Sequence, residues 1–406
     1  MKICVIFTGG TIGSTLRDGY VNVNSKCSNE LLNRYPHICF EEKHPVTMLS
    51  ENVSVEDLSK IIEAIRDAIE VGRHLEDGCD TKFYGEQPYD GIIVTHGTDT
   101  LCFTANVLSQ VFANTPIPIA LVSALLPLEN PRSNGFANFH GAVEYISEAG
   151  ESKLHQNAPR VFVPFKNGDE ECRIHDAAYL LEADEVTGYM HSFCDMYYGA
   201  MCENALALNP HYQPPHACCH EKNDSWEENS NKEENANKGK CDNLERNDNW
   251  EECFNKYLSK GCLSNEFLTI RSRALLNYKY FNFDFEDDKP KAILIELYHS
   301  GTLCTVGDEC NALKFIEKCR QKDIIVIIGP VKRGDNVYES MRELSGNHAA
   351  DRRMNGSANS SESDSESGTS NECIIAYDRS FELTVAQLAL ALGAGAGYAE
   401  IKKLLG

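Results

Sequence analysis

Ile3-Cys4-Val5-Ile6-Phe7-Thr8-Gly9-Gly10-Thr11 stands at the head of the chain, and Ile92-Ile93-Val94-Thr95-His96-Gly97-Thr98-Asp99-Thr100 repeats its design. In each, a short, mostly β-branched apolar run stops at a turn made of glycine and threonine. Apolar runs without alternation belong to strands buried on both faces, as in a parallel sheet. Open parallel sheets bind their ligands at the carboxyl ends of the strands. Two such turns therefore present hydroxyls, backbone N–H groups and the Asp99 carboxylate to one crevice. Gly10 and Gly97 allow the backbone to come close to a small ligand. The first turn has glycines at 9, 10 and 13 and no Gly-Lys-Ser/Thr ending, so it is not a nucleotide loop, though a phosphate at a helix N-terminus stays open as a lesser reading.

Working outward, Ile119 to Val122 and Arg160 to Phe165 read as further strands, the latter followed by a hairpin signal, Asn167-Gly168. Leu58, Ile61, Ile62, Ile65 and Ile69 share one helical face, and Asn138 to Ile146 also reads as helix. Lys291 to Leu297 and Ile324 to Gly329 are strands flanking a helix from about Cys310 to Lys322, and Leu383 to Leu405 is helical. The alternation predicts an α/β protein with parallel sheets. The 406 residues point to two domains. From 211 to 261 the chain is rich in Asn, Glu, Lys and Asp, and about 345–371 is Ser-rich; both read as disordered insertions. The expected division is 1–210, an N-terminal α/β domain; 211–261, an insertion; and 262–406, a linker and C-terminal α/β domain.

The formal net charge of −23 argues against a nucleic acid or an anionic membrane as partner. No apolar run approaches the ~18 residues of a membrane span, and no signal peptide is legible, so the expected compartment is the cytoplasm. The 17 cysteines follow no metal-binding spacing and read as reduced thiols.

Thr8-Gly9-Gly10-Thr11-Ile12 and Thr95-His96-Gly97-Thr98-Asp99-Thr100 closely resemble the two signatures of the bacterial-type L-asparaginases. Ser50, in Leu49-Ser50-Glu51-Asn52, falls at that family's substrate-binding serine, and Ser123-Ala124-Leu125 matches a substrate-lining turn. The resemblance implies a larger N-terminal domain joined to a smaller flavodoxin-like one, assembled as homodimers or homotetramers. It implies hydrolysis of asparagine, or of glutamine, to the acid and ammonia. Thr11 is then the nucleophile, assisted by Tyr20, and Thr98 and Asp99 form a second triad with a lysine. Gly10, Ser50, Glu51, Gly97 and Ala124 surround the substrate, with N–H groups around Gly97 and Thr98 holding the oxyanion. No metal or organic cofactor is called for.

Residue chemistry agrees: a threonine hydroxyl needs activation to attack an amide, aligned N–H donors stabilise the oxyanion, and Asp99 suits an ammonium group. Blander roles stand beside these. Tyr20 reads equally as an ordinary loop residue, Ser50 and Asp99 as helix caps, and His96 as a packed, hydrogen-bonded residue. The lysine is the departure. It should fall near Asp176 to Ala178, yet no lysine occurs between Asn167 and Glu221, and Lys166 sits at the turn end of the hairpin. Three readings follow: His175 replaces it as base, a lysine reaches in from elsewhere or from a partner subunit, or the triad is broken. The competing functions are a weakly active or non-catalytic amino-acid binder and an ammonia-generating amidotransferase subunit.

Overall fold

Ile3, Cys4, Val5 and Ile6 are wholly buried, as a strand covered on both faces must be. They lie in a computed structural model that describes residues 1–17, 20–23, 27–70, 88–150, 157–202, 205–215, 253–283, 289–332, 338, 344 and 372–406, with backbone alone within 13–29. The N-terminal part runs, in chain order, through β1 (Lys2–Ile6), β2 (Ser14–Arg17), β3 (Tyr20–Val23), α1 (Cys27–Leu32), β4 (Cys39–Lys43), α2 (Val55–Glu70), β5 (Gly91–Thr95), α3 (Leu101–Val111), β6 (Ile119–Val122), α4 (Gly135–Gly150), β7 (Val161–Lys166), β8 (Cys172–Asp176), β9 (Gly199–Cys202) and β10 (Ala205–Leu208). Eight of the strands form one sheet, in the order β10-β9-β8-β7-β6-β5-β1-β4. The block from β7 to β4 is parallel, whereas β8, β9 and β10 run antiparallel to their neighbours. The sheet is thus mixed rather than purely parallel.

The two faces of this sheet carry separate cores. Ile6, Val94, Leu121 and Val163 pack under α2 and α3, with Ile61, Ile62, Ile65 and Leu108. Val5, Ile93, Val122 and Phe162 pack under α4, with Phe139, Tyr145 and Ile146. All five apolar residues read as one face of α2 are buried. A fully buried Ile or Leu contributes about 1.5–3 kcal/mol, so this face alone holds α2 to the sheet.

The C-terminal part comprises β11 (Phe267–Arg271), β12 (Ala292–Glu296), α5 (Ala312–Arg320), β13 (Ile325–Val331), β14 (Ile374–Tyr377), α6 (Phe381–Gly393) and α7 (Tyr398–Leu405). Its four strands are parallel and adjacent in sequence order. The expected single helix from Leu383 to Leu405 is broken between Gly393 and Tyr398, where Gly395 takes a φ of +80° and Gly397 caps α7. The helix α6 packs on α3, and Gln387 Nε2 donates to Gln110 Oε1 at 3.0 Å, which ties the two parts together.

Both ends of the stretch read as a polar insertion over 211–261 are packed. Its central residues 216–252, and the Ser-rich stretch 345–371, lie outside the described residues. At one end Tyr212 donates to Asp176 Oδ2 at 2.7 Å. At the other, Phe254–Leu258 forms a helical turn with Phe254, Tyr257 and Leu258 buried in the core beneath α2 and α3. Arg66 clamps that turn through the Ser259 and Lys260 carbonyls. Four apolar side chains within six residues, Cys253, Phe254, Tyr257 and Leu258, outweigh the polar composition of the surrounding window. The cysteines among the described residues are free thiols, and no helix among them is long and apolar enough to cross a membrane.

Candidate active site

The turns that follow β1 and β5 meet. After β1, Thr8 Oγ1 donates to the Thr95 carbonyl and Thr8 N to Thr95 Oγ1 at 3.2 Å, so the two strand ends are stitched side by side. Gly9 and Gly10 then take φ values of +106° and +75°, open to glycine but costly for other residues. The chain leaving β4 joins them: Met48 N donates to Thr8 O at 2.9 Å and Gly10 N to Met48 O at 3.2 Å. A side chain at Gly10 would strike the Gly97 backbone, and one at Gly97 would strike Ser50. Three segments therefore converge on a floor of bare backbone.

Around that floor stand the polar groups. Ser50 opens a short helical turn, Ser50–Asn52, and its Oγ donates to Asp99 Oδ2 at 2.9 Å. Thr100 Oγ1 donates to the Ser50 carbonyl at 2.9 Å. Neither Ser50 nor Asp99 caps a helix: Ser54 caps α2 through Asp57, and α3 has no side-chain cap. Thr11 begins a short helical turn, Thr11–Gly13, and is half-buried, as is Thr98, while Asp99 is exposed. Glu51 is exposed. Ala124 is wholly buried, with its side chain against Gly135, so it presents no surface of its own to the crevice. Tyr20 begins β3, and its side chain lies outside the described residues.

His96 is wholly buried. Its Nδ1 meets the Gly97 carbonyl at 2.8 Å and its Nε2 meets Thr104 Oγ1 at 3.1 Å. Burial pushes its pKa below the ordinary imidazole value, against the Gly97 hydrogen bond and the Asp99 charge.

The structure separates His175 from this crevice and corrects its reading as a base. β8 lies three strands from β5 and four from β1. At ~4.8 Å per strand, three steps already span about 14 Å, beyond the reach of a histidine. The ring is wholly buried, and Nδ1 meets Ser192 Oγ at 2.8 Å. Burial, aided by Arg173 and His191, lowers its pKa to about 3. An imidazole held that low takes up no proton at neutral pH. Next to it Asp176 faces the other side of the sheet, where burial raises its carboxyl to about 6 against hydrogen bonds from Tyr212 and Ala178. The segment expected to carry the lysine does reach α3. The turn Ala177–Tyr179 packs there, and the Leu180 carbonyl accepts from Cys102 Sγ at 3.2 Å and Asn106 Nδ2 at 3.0 Å. It brings small buried side chains, Ala177 and Ala178, in place of an amine.

Lysines do stand at the carboxyl edge of the sheet, because Lys43 ends β4 and Lys166 ends β7. Lys166 is held by two residues that the sequence reading missed. Asn138 Oδ1 accepts from Lys166 N at 2.8 Å and Asn134 Nδ2 donates to Lys166 O at 2.9 Å. The same asparagines bind Leu125 N and the Ser123 carbonyl, fixing the turn after β6. Two asparagines four residues apart on an otherwise apolar helix start were the available signal. Among the described residues no group of His, Cys, Asp and Glu is arranged to hold a metal ion.

Residues 2–180 match the model of the asparaginase N-terminal domain. Over that stretch the chain is similar to the asparaginase family. An L-asparaginase of Thermococcus kodakarensis is 31% identical over 146 residues, 36% of this chain and 40% of that protein. L-asparaginase 1 of Escherichia coli K12 is 30% identical over 150 residues, 35% and 39% of the two chains. A glutamyl-tRNA(Gln) amidotransferase subunit of Methanosarcina barkeri is 29% identical over 181 residues, 43% and 37%. The matched stretch is thus less than half the length of these relatives. Among solved structures, the thermostable L-asparaginase from T. kodakarensis superposes with a TM-score of 0.64 at 19% identity, over 100% of this chain and 96% of that one. L-asparaginase I from Vibrio cholerae gives 0.59 at 16%, over 99% and 95%. The two-domain asparaginase fold therefore extends beyond the segment where sequence similarity is evident.

Proposed function

We propose that the protein hydrolyses the side-chain amide of free asparagine, or of a similarly small amide, through an acyl-enzyme on Thr11. The observation that carries this reading is the convergence of Gly10, Ser50, Gly97 and Asp99 on one floor beside Thr11. The Thr11 hydroxyl attacks the amide carbon, and the oxyanion takes hydrogen bonds from backbone N–H groups near Gly97 and Thr98. The C–N bond breaks, the nitrogen leaves as ammonia with the hydroxyl proton, and water then cleaves the ester to the acid. Asp99, already hydrogen-bonded by Ser50, receives the substrate ammonium. Thr98 lies beside it, and Tyr20 assists Thr11, as the resemblance implies. The groups that move the proton are taken from the carboxyl edge, where Lys43 and Lys166 end their strands, or from a partner subunit in a homodimer or homotetramer. The working compartment proposed is the cytoplasm.

A second reading has an observation in its favour. β8 carries the buried Asp176 and no lysine, which suits a slow hydrolase or an amino-acid binder. The similarity to an amidotransferase subunit adds glutamine as a candidate amide. Ammonia release by the purified protein from asparagine, glutamine and an aspartyl peptide decides among them. Release from asparagine supports the proposal, release from glutamine alone favours the amidotransferase reading, and binding without release makes the protein a binder.

A further inference from the structure

His96 lies inside the second signature yet takes no part in the chemistry above. Its surroundings fix its protonation. The Gly97 carbonyl only accepts hydrogen bonds, so Nδ1 must carry the proton that meets it at 2.8 Å. Nε2 is then the acceptor for the Thr104 hydroxyl at 3.1 Å. The ring is wholly buried, which excludes a second proton on Nε2. The Gly97 carbonyl belongs to the same peptide group as the Thr98 N–H. In a trans peptide these two bonds point in opposite directions. A carbonyl pinned inward to a buried ring therefore turns the Thr98 N–H outward, to the floor where Gly97 meets Gly10 and Ser50. Among the described residues nothing accepts a hydrogen bond from that N–H.

We infer that His96 is a positioning residue: through the Gly97 carbonyl it aims the Thr98 N–H into the crevice as a preset oxyanion donor, and Thr104 keeps its ring in the tautomer that does so. This rests on the amide-hydrolysis reading. It makes the histidine a fixed dipole rather than a base. The amide nitrogen of Asn superposes on Nδ1, whereas that of Gln reaches only to the Nε2 position. His96→Asn therefore keeps the donor to Gly97, and His96→Gln keeps only the link to Thr104.

The test compares kcat and KM for asparagine in these two variants and in Thr11→Val, with ring-nitrogen NMR of the wild-type protein from pH 5 to 9. The expected result is kcat within about threefold of wild type for His96→Asn, and a fall of roughly 10- to 100-fold for His96→Gln with little change in KM, since losing one oxyanion donor costs up to ~10³. The His96 ring shows a protonated Nδ1 and a bare Nε2 throughout. Equal losses in the two variants, or a proton on Nε2, would overturn the inference while leaving the amide-hydrolysis reading intact. A wild-type protein that releases no ammonia removes that reading and the oxyanion role together, and the ring spectrum, which needs no turnover, still judges the tautomer.

Discussion

His96 and His175 occupy the same sheet, are equally buried, and are both pushed below the ordinary imidazole pKa, yet they belong to regions with opposite character. His96 stands where β5 ends, with both nitrogens engaged by its own turn and by α3. His175 is the next-to-last residue of β8, beside Ser192, Arg173 and His191, and among the described residues its Nε2 has no partner. Burial alone does not make a buried histidine useful. What matters is whether its hydrogen bonds lead to a backbone group that faces a ligand. The first region assembles three chain segments around bare glycine backbone; the second closes on itself as core.

The sharpest way to break this contrast is to remove the reacting group from one region and the ring from the other. Thr11→Val is expected to lower ammonia release by at least ~10³-fold, the scale of a lost nucleophile. His175→Phe is expected to leave kcat within about threefold and to leave the pH–rate profile unchanged, because a group with a pKa of about 3 adds no acid limb near 6.5. Steady-state rates between pH 5 and 9 check both. Next in size, Asp99→Asn should raise KM for asparagine by 10- to 100-fold, or about 1.4–2.7 kcal/mol, as expected for a hydrogen bond to a charged group.

The ends of the polar insertion sharpen the contrast between composition and packing. Phe254→Ala should cost about 3–5 kcal/mol in denaturant unfolding, since it empties a buried aromatic site under α2 and α3. Deleting residues 216–252 with a short Gly/Ser link should leave activity within about twofold, because so polar a tract offers little apolar surface to the core. A deletion extended through Phe254 should lose stability as the point variant does.

The smallest effects distinguish the two neighbours on β8. Asp176 titrates near 6 in place of 3.8, so the folded protein bears no penalty below about pH 4 and the full penalty above 6. Asp176→Asn should therefore gain about 1–3 kcal/mol over wild type at pH 7.5 and nothing at pH 4. His175 stays neutral in the folded protein down to about 3, whereas the unfolded chain binds a proton below 6.5. Stability falls as pH drops through that window, and His175→Phe should soften the fall. Urea melts at pH 4 and 7.5 read both signs.

The positions of β1, β5 and β6 were legible because apolar runs buried on both faces leave no competing pattern. The glycine turns were legible because positive φ and close backbone approach leave few other residues possible. The reversal of β8, β9 and β10 was only partly visible, through Asn167-Gly168, since strand direction depends on connections rather than on composition. The packed turn at Phe254 was hidden by its polar flanks. Asn134 and Asn138 were missed because their spacing at a helix start marks polar residues there without saying which distant backbone they support. His175 looked suitable by residue type, and three intervening strand spacings removed it.

The most direct test of Thr11 as the group that does the chemistry is acid quenching of the protein during turnover of asparagine, followed by peptide mass mapping. The account predicts one aspartyl group, as an ester, on the peptide that contains Thr11, and none in Thr11→Val. Ammonia release with the aspartyl group on another peptide, or undiminished release by Thr11→Val, would contradict it.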